Sequence, residues 1–410
     1  MAKGAKGSER VRGPAKVLPK QGEVKSRPLL VVSAVVASLA IAVACTHLFV
    51  SSPINAVAYQ LPTPPAFEGE LAPNGRLSKA ELILDDQVYG PECIAIDRKS
   101  DKLYTGLRTG LICEIDYKEK QPKILRAVRL TSLEGCDGSY KSMVKCGRPL
   151  GMRLHPKTNE LYVLDAYLGL YVINWKTEKV RQLFAGAVSI TDDDTAIPTR
   201  YLNDFDFLPD GRIVITEAST KFDDRDFIYE LLEHRPNGRL LVFNPANDHL
   251  SILSDRLYFP NGVEVVRGKI FVAEMGMSRI LKYSPSSKTV DVLIDNLPGY
   301  PDNIRQANDG KLWVPLAALR SDGDNWLAAR PTLRNLLTKL LSPQAVNAIA
   351  EWISSKYGLV LKVDVETGKI TESLHDPEGR VADITTAIED GHGNLLLGSD
   401  ANYYLAKLKL

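Results

Sequence analysis

One short pattern opens a β-like run six times: GPECIAI (90–96), RPLGMRL (148–154), YLNDFDF (201–207), FPNGVEV (259–265), YPDNIRQ (300–306) and VADITTA (381–387). Its third position holds Glu92, Leu150, Asn203, Asn261, Asp302 and Asp383, with no Lys, Arg or His among them. Carboxylate and amide oxygens gathered in one place repel one another and resist dehydration unless a cation neutralises them. Hard oxygen donors of that mix suit Ca²⁺, at ligand distances of about 2.3–2.6 Å. Zinc would call for His and Cys, which these positions lack. Singly, Asn-Gly or Asp-Asn is ordinary turn chemistry. Five aligned oxygen-bearing copies favour a cation site.

The elements that must hold these residues are short strands. Runs such as GRIVITEAS, GKIFVAEMG and GKLWVPLAA alternate apolar and polar residues between Gly, Pro, Asn and Asp turns. The third positions are spaced 58, 53, 58, 41 and 81 residues apart. A four-stranded blade takes about 40–45 residues plus loops, so the repeat predicts an all-β, six-bladed propeller over 77–410. The first strand of each blade then lines a central channel, where equivalent positions converge. The longest interval contains a helical insertion at about 325–356, read as two helices. Leu333, Leu336, Leu337, Leu340 and Leu341 have helical spacing, and Ser342-Pro343 is a second helix start. Packing over one end of the propeller is the expected role. The Pro-rich, aperiodic stretch 51–76 reads as a linker.

Ahead of it, Leu29–Val50 is 22 residues without Asp, Glu, Lys or Arg, and a helix of about 33 Å crosses a hydrocarbon layer of about 30 Å. Residues 1–28 form a basic tail with eight Lys/Arg against Glu9 and Glu23. Positive charge on that flank predicts a cytoplasmic tail and a single-pass type II anchor, with the propeller in the endoplasmic reticulum lumen or outside the cell. The alternative is a signal peptide cleaved after Ala58, since Ala56-Val57-Ala58 resembles a cleavage site. Cys136 and Cys146 flank a polar loop, and a disulfide there suits an oxidising compartment. Cys93 and Cys113 lie in strand-like segments, Cys45 in the apolar run. The basic tail reads as a topology signal, and nothing supports nucleic-acid binding.

From about Gly90 to Leu410 the chain resembles the strictosidine-synthase-like family. The likeness rests on CGRPLGMRL (146–154), LDAYLGLYVIN (164–174), GRLLVFNP (238–245), LYFPNGVEV (257–265), DNLPGYPDNIR (295–305), LLSPQAV (340–346) and LHDPEGRVA (374–382). The wider superfamily includes paraoxonases and calcium-dependent lactonases. By that resemblance, calcium ligands fall on Glu92, Asn203, Asn261, Asp302 and Asn303. The ion would polarise an ester or lactone carbonyl while a water or carboxylate attacks. Two departures matter. Leu150 stands where paraoxonases place a histidine. The stretch VADITTAI has Asp383, Thr385 and Thr386, but no counterpart of the catalytic glutamate of plant strictosidine synthase. Asp302 and Asp383 are the catalytic candidates, Asp383 as metal ligand or general base. His155 and His392, in turn-like contexts, read as structural. The expected function is a membrane-anchored, calcium-dependent hydrolase of aryl or lipophilic esters. The alternatives are a non-catalytic propeller binding a protein or lipid partner, and amine–aldehyde condensation.

Overall fold

A computed structural model describes residue 1 and residues 27–190, 197–354 and 356–410; most of the basic tail lies outside the described residues. The chain divides into two compact units, residues 1–51 and 52–410. In the first, helix α1 (Arg27–Phe49) is apolar throughout, and its Pro28–Phe49 portion is long enough to cross a membrane.

The second unit is a six-bladed β-propeller with six antiparallel sheets. The inner strands of blades one to four are Ile94–Asp97, Pro149–Leu154, Tyr201–Phe207 and Pro260–Val266. Blade five has a broken inner strand, Gly299–Pro301 and Arg305–Gln306, and blade six begins at Thr386–Glu389. Blade six takes its outermost strand from the other end of the chain. Glu81–Ile83 pairs with the C-terminal strand Leu405–Lys409, Glu81 opposite Lys407, so the ring is closed by hydrogen bonds between the two ends of the fold.

Cohesion lies between blades. Each of the six interfaces holds its own apolar cluster. Val214, Leu240 and Val242 of blade three pack on Val263, Ile270 and Val272 of blade four. Trp313 and Val360 of blade five meet Ala387, Leu395 and Leu397 of blade six. Each such side chain contributes roughly 1.5–3 kcal/mol on burial. Outer strands such as Lys123–Arg129 are largely exposed.

Five short helices decorate this frame. Helix α2 (Met143–Cys146) ends in the Cys136–Cys146 disulfide, which leads into the inner strand of blade two. Helix α3 (Phe227–Glu233) is inserted in blade three. The insertion in blade five forms three helices, one more than its leucine spacing predicts: α4 (Asp322–Ala328), α5 (Pro331–Leu340) and α6 (Pro343–Ile353). The extra helix starts at Ser321, whose N–H donates to the Asp324 carboxylate. Pro331 then opens α5 as Pro343 opens α6. Together α3, α5 and α6 form a roof over the propeller. Ile228, Tyr229 and Leu232 pack with Val346 and with Ile54 from the supposed linker.

That segment is not a free linker. Asn55 N–H donates to Glu233 (2.6 Å), Arg334 donates to Val57 O, and Tyr59 stacks on His234 at 3.3 Å. Further on, Asn296 holds Thr63 O and Ser373 holds Glu70 O. Its prolines deny it regular structure, so side chains of the roof and blade five satisfy its backbone instead. Cleavage after Ala58 would strip Ile54 from the roof.

Beneath the roof, Glu230 accepts from Ser219 and Asn237, and burial pushes its carboxyl up to about 7. A raised acid gives stability that is complete below its ordinary value near 4.5 and is lost as pH rises through about 7. Glu230→Gln should therefore lose about 2 kcal/mol less stability than the parent between pH 5.5 and 8, seen as a shallower fall in Tm. An unchanged slope would show that Glu230 titrates without burial strain.

Candidate functional site: a buried oxygen cluster on the propeller axis

An inner strand is the edge of its sheet, and the repeated motif exploits that position. Pro91, Pro149, Pro260 and Pro301 precede the third position in four of the copies, and an edge tolerates a residue with no N–H to donate. Directly after, the ladder is interrupted. Register shifts fall between Pro149 and Gly151, Leu202 and Phe205, and Pro260 and Val263. In blade five the inner strand lapses between Pro301 and Arg305. Such irregularities release a residue from pairing and re-aim its side chain. Leu150, Asn203, Asn261, Asp302 and Asn303 all sit in these gaps.

Bonds between blades then fix the main chain. Thr385 Oγ1 donates to Glu92 O (2.7 Å), Asn303 N to Thr385 O (2.9 Å) and Thr216 Oγ1 to Asn261 O. Gly262 allows the closest approach: a Cβ there would collide with the backbone of Asp302–Ile304.

Glu92, Asn203, Asn261, Asp302 and Asn303 are each no more than 5% exposed. Glu92 Oε2, Asn203 Oδ1, Asn261 Oδ1, Asp302 Oδ1 and Asn303 Oδ1 all lack a hydrogen-bond donor. Burial, then the neighbouring Glu92 and Asp400 charges, hold the Asp302 carboxyl well above the usual carboxylate range. Burial likewise pushes Glu92 up to about 8, against the pull of Arg148. Among the described residues no three His, Cys, Asp or Glu side chains are grouped so as to hold a metal ion on their own. The donor set is two carboxylates and three amides, so it fits a hard cation and does not fit zinc.

Further along the same strands the protein supplies its own cations. Arg305 grips Asp204 through two bonds of 2.7 and 3.1 Å, and Arg153 meets Glu264 at 2.8 Å and Asp206 at 3.5 Å. Beside the oxygen set, Arg148 lies 3.3 Å from Glu92 Oε2 and donates to Gly90 O. Arg148 escaped the sequence reading because attention fell on third positions. It occupies the first position of its copy, where it is the one charged residue. Asp224, which accepts from Tyr201 OH at 3.0 Å and raises the Glu92 carboxyl, was also missed. It comes from a loop outside the repeat.

Beside the oxygens lies an apolar collar of Leu150, Ala166, Tyr201, Ala218, Phe259 and Met275, against which Phe227 and Leu231 of α3 pack. Asn261 Nδ2 and Met275 Sδ, 4.0 Å apart, mark the border between the two. Surface clefts lie elsewhere, one along blade two by Glu160 and Arg181, another by His155, Phe207 and Val265.

Asp383 does not join the set. The inner strand of blade six starts three residues later, and Thr386 makes the bridge to Asn303. Asp383 itself sits in a bend with φ of 52°, and its carboxylate faces Lys356 at 3.9 Å. His155 Nδ1 accepts from the Lys157 and Thr158 N–H groups, and His392 pairs with Asp101 at 3.1 Å, both in surface turns. Cys93 and Cys113 are buried free thiols; Arg305 Nη2 stands 3.0 Å from Cys93 Sγ.

Residues 203–284 match the strictosidine synthase profile, and residues 69–115 match the strictosidine synthase-like N-terminal profile. Adipocyte plasma membrane-associated protein from Bos taurus is 34% identical over 374 residues, 88% of this chain and 86% of its own. The Homo sapiens protein of that name is 32% identical over 91% of this chain and 88% of its own. The chain belongs to the strictosidine synthase-like family. A plant relative, strictosidine synthase-like 13 of Arabidopsis thaliana, is 30% identical over 75% of this chain and 77% of its own. Among solved structures, the strictosidine synthase-like propeller superposes on a gluconolactonase from Xanthomonas campestris. The TM-score is 0.52 and the identity 13%, over 88% of this chain and 97% of that one. The calcium-binding protein regucalcin from Agrobacterium tumefaciens gives 0.51 and 11%, over 80% and 93%. These two likenesses establish the shared fold.

The burial that raises the Asp302 carboxyl predicts a measurable exchange of stability for binding. In chelator at pH 8, Asp302→Asn should melt a few degrees above the parent, a gain of about 1–3 kcal/mol, because ionising a raised acid costs stability as pH climbs. The same variant should lose most of the Tm rise that Ca²⁺ gives the parent. An equal calcium increment in both proteins would remove Asp302 from the cation site.

Proposed function

We propose that this strictosidine synthase-like propeller is a calcium-dependent hydrolase of lipophilic esters or lactones. The observation that carries the proposal is the set of five buried side-chain oxygens without donors, set against an apolar collar. Glu92, Asn203, Asn261, Asp302 and Asn303 would hold the ion. When bound, Ca²⁺ supplies a Lewis acid for the substrate carbonyl and its oxyanion. The collar of Leu150, Tyr201, Phe259 and Met275 excludes bulk water and receives the apolar part of the substrate. Asp302 is assigned as the proton acceptor. A water oxygen bonds to the acyl carbon while its proton passes to Asp302. The acyl–oxygen bond then breaks, and the leaving alkoxide recovers that proton. Arg148 is a positioning residue for Glu92.

Gluconolactonase chemistry on a propeller of this shape is consistent with the reading. Condensation of the plant type is disfavoured, because Thr385 and Thr386 stand where a glutamate is needed and Thr385 Oγ1 is committed to Glu92 O. The covering of the oxygens by the collar and α3 favours one other reading, in which the ion is structural and the propeller is a binding scaffold. For location we propose a single-pass type II protein with the propeller in an oxidising compartment. The basic flank, the Cys136–Cys146 disulfide and the membrane-associated relatives support it.

The test uses the full chain in detergent, with a phenyl ester and a lipophilic lactone as substrates. Hydrolysis should fall at least 100-fold on chelation, return with Ca²⁺, and fall similarly in Asn261→Ala. Activity absent throughout, with Ca²⁺ still raising Tm, would establish the scaffold instead.

A further inference from the structure

We infer that the outer face of the helical roof is a membrane-docking surface that lies in the phospholipid interface. Large apolar side chains exposed on the propeller's outer strands are few: Leu125, Val180 and the pair Val290 and Val292. On the roof and the adjoining helix α4 they are concentrated: Trp326 of α4, Leu340 of α5, and Ile349, Trp352 and Ile353 of α6. Trp352 at 83% and Ile353 at 71% exceed every other exposed large hydrophobic side chain of residues 52–410. Helix α6 buries Val346 in the roof, so it is apolar both inwards and outwards. It carries one charged residue, Glu351, which accepts from Asn347 on the same helix.

What covers that face follows from the chain itself. The apolar run ends at Val50. Ser52 is already fastened to α5, its Oγ lying 3.2 Å from Thr338 Oγ1 and 3.4 Å from Asn335 O, and Ile54 is buried in the roof. Two residues span about 7 Å at most, comparable with the headgroup layer on one side of a bilayer. If Leu29–Val50 crosses a membrane, as read above, α5 is tethered at headgroup depth. An exposed tryptophan there finds the amphipathic environment its ring favours. The occupant is therefore the surface of the membrane that holds the anchor. This inference does not depend on the hydrolase proposal.

The full chain reconstituted in phosphatidylcholine nanodiscs tests it. Tryptophan emission is compared in discs of ordinary lipid and of lipid brominated near the top of the acyl chains. Trp175 and Trp313 are buried in the propeller, so quenching by bromolipid reports on Trp326 and Trp352. We expect about half the emission from those two to be lost, most of that quenching to vanish in Trp352→Phe, and Tm to be unchanged. In Trp352→Ser/Ile353→Ser, quenching of Trp326 should also weaken. Bromolipid without effect, with Trp352 open to aqueous acrylamide, would overturn the inference. So would protection from acrylamide found only in discs holding two copies, which would assign the face to a second chain. Failure of the chain to enter discs at all would instead overturn the reading of Leu29–Val50 as a membrane span.

Discussion

A blade's inner strand has a hydrogen-bonding partner on one side only. Six such free edges face a common axis, and each brings main-chain and side-chain polar groups into a space with little room for water. An unpaired buried oxygen costs on the order of 1–3 kcal/mol, so what fills the axis decides whether the ring is stable. This protein solves the problem in two ways along one channel. Deep in the ring, Arg153 and Arg305 satisfy Asp204, Asp206 and Glu264. Nearer the roof, five oxygens are left for a ligand to satisfy. The interruptions in the inner strands, the glycine beside Asp302 and the bonds from Thr385 and Thr216 all serve that second arrangement.

The roof bears on the same constraint from above. A site with unpaired carboxylates would be hydrated if it were open, and its electrostatic contrast would weaken. The collar of Leu150, Tyr201, Phe259 and Met275, closed by Phe227 and Leu231, keeps the surroundings apolar. Arg334 ties the helices of this roof to one another and to the N-terminal segment through its bonds to Leu232 O, Val57 O and Ala328 O. Covering the site and fastening the chain that leads from the anchor are therefore achieved by the same side chains.

Much of this was legible in the sequence, because the motif is defined by strand edges and strand edges repeat. The six blades and the disulfide pairing could be read from period and residue type, and the repeat also singled out Glu92, Asn203, Asn261 and Asp302, whereas Asn303 entered only through the family resemblance. The failures have local causes. Asp383 shares its motif position with Asp302, yet blade six starts its inner strand later and the bend turns Asp383 towards Lys356. Helix α3 is seven residues long and lies between two strands, too short for periodicity to reveal. Residues 51–76 lack any periodic pattern, and their order comes from partners such as Asn296 and Ser373, hundreds of residues away in sequence. Arg148 and Asp224 reach the site from a different motif position and from a loop, so no repeat could align them.

Closure of the ring also has a consequence for biosynthesis. The strand Glu81–Ile83 is made early and must wait, unpaired on its partner's side, until Leu405–Lys409 has been synthesised. The ring-closing pair is separated by more than 300 residues of chain. Until then the apolar faces of Leu77, Ala80 and Ile83 remain open, and contacts this distant in sequence form slowly. The nascent propeller is thus an open arc until Leu405–Lys409 has been made. A chain truncated before Leu405 would lack the clasp and display exposed strand edges to quality control.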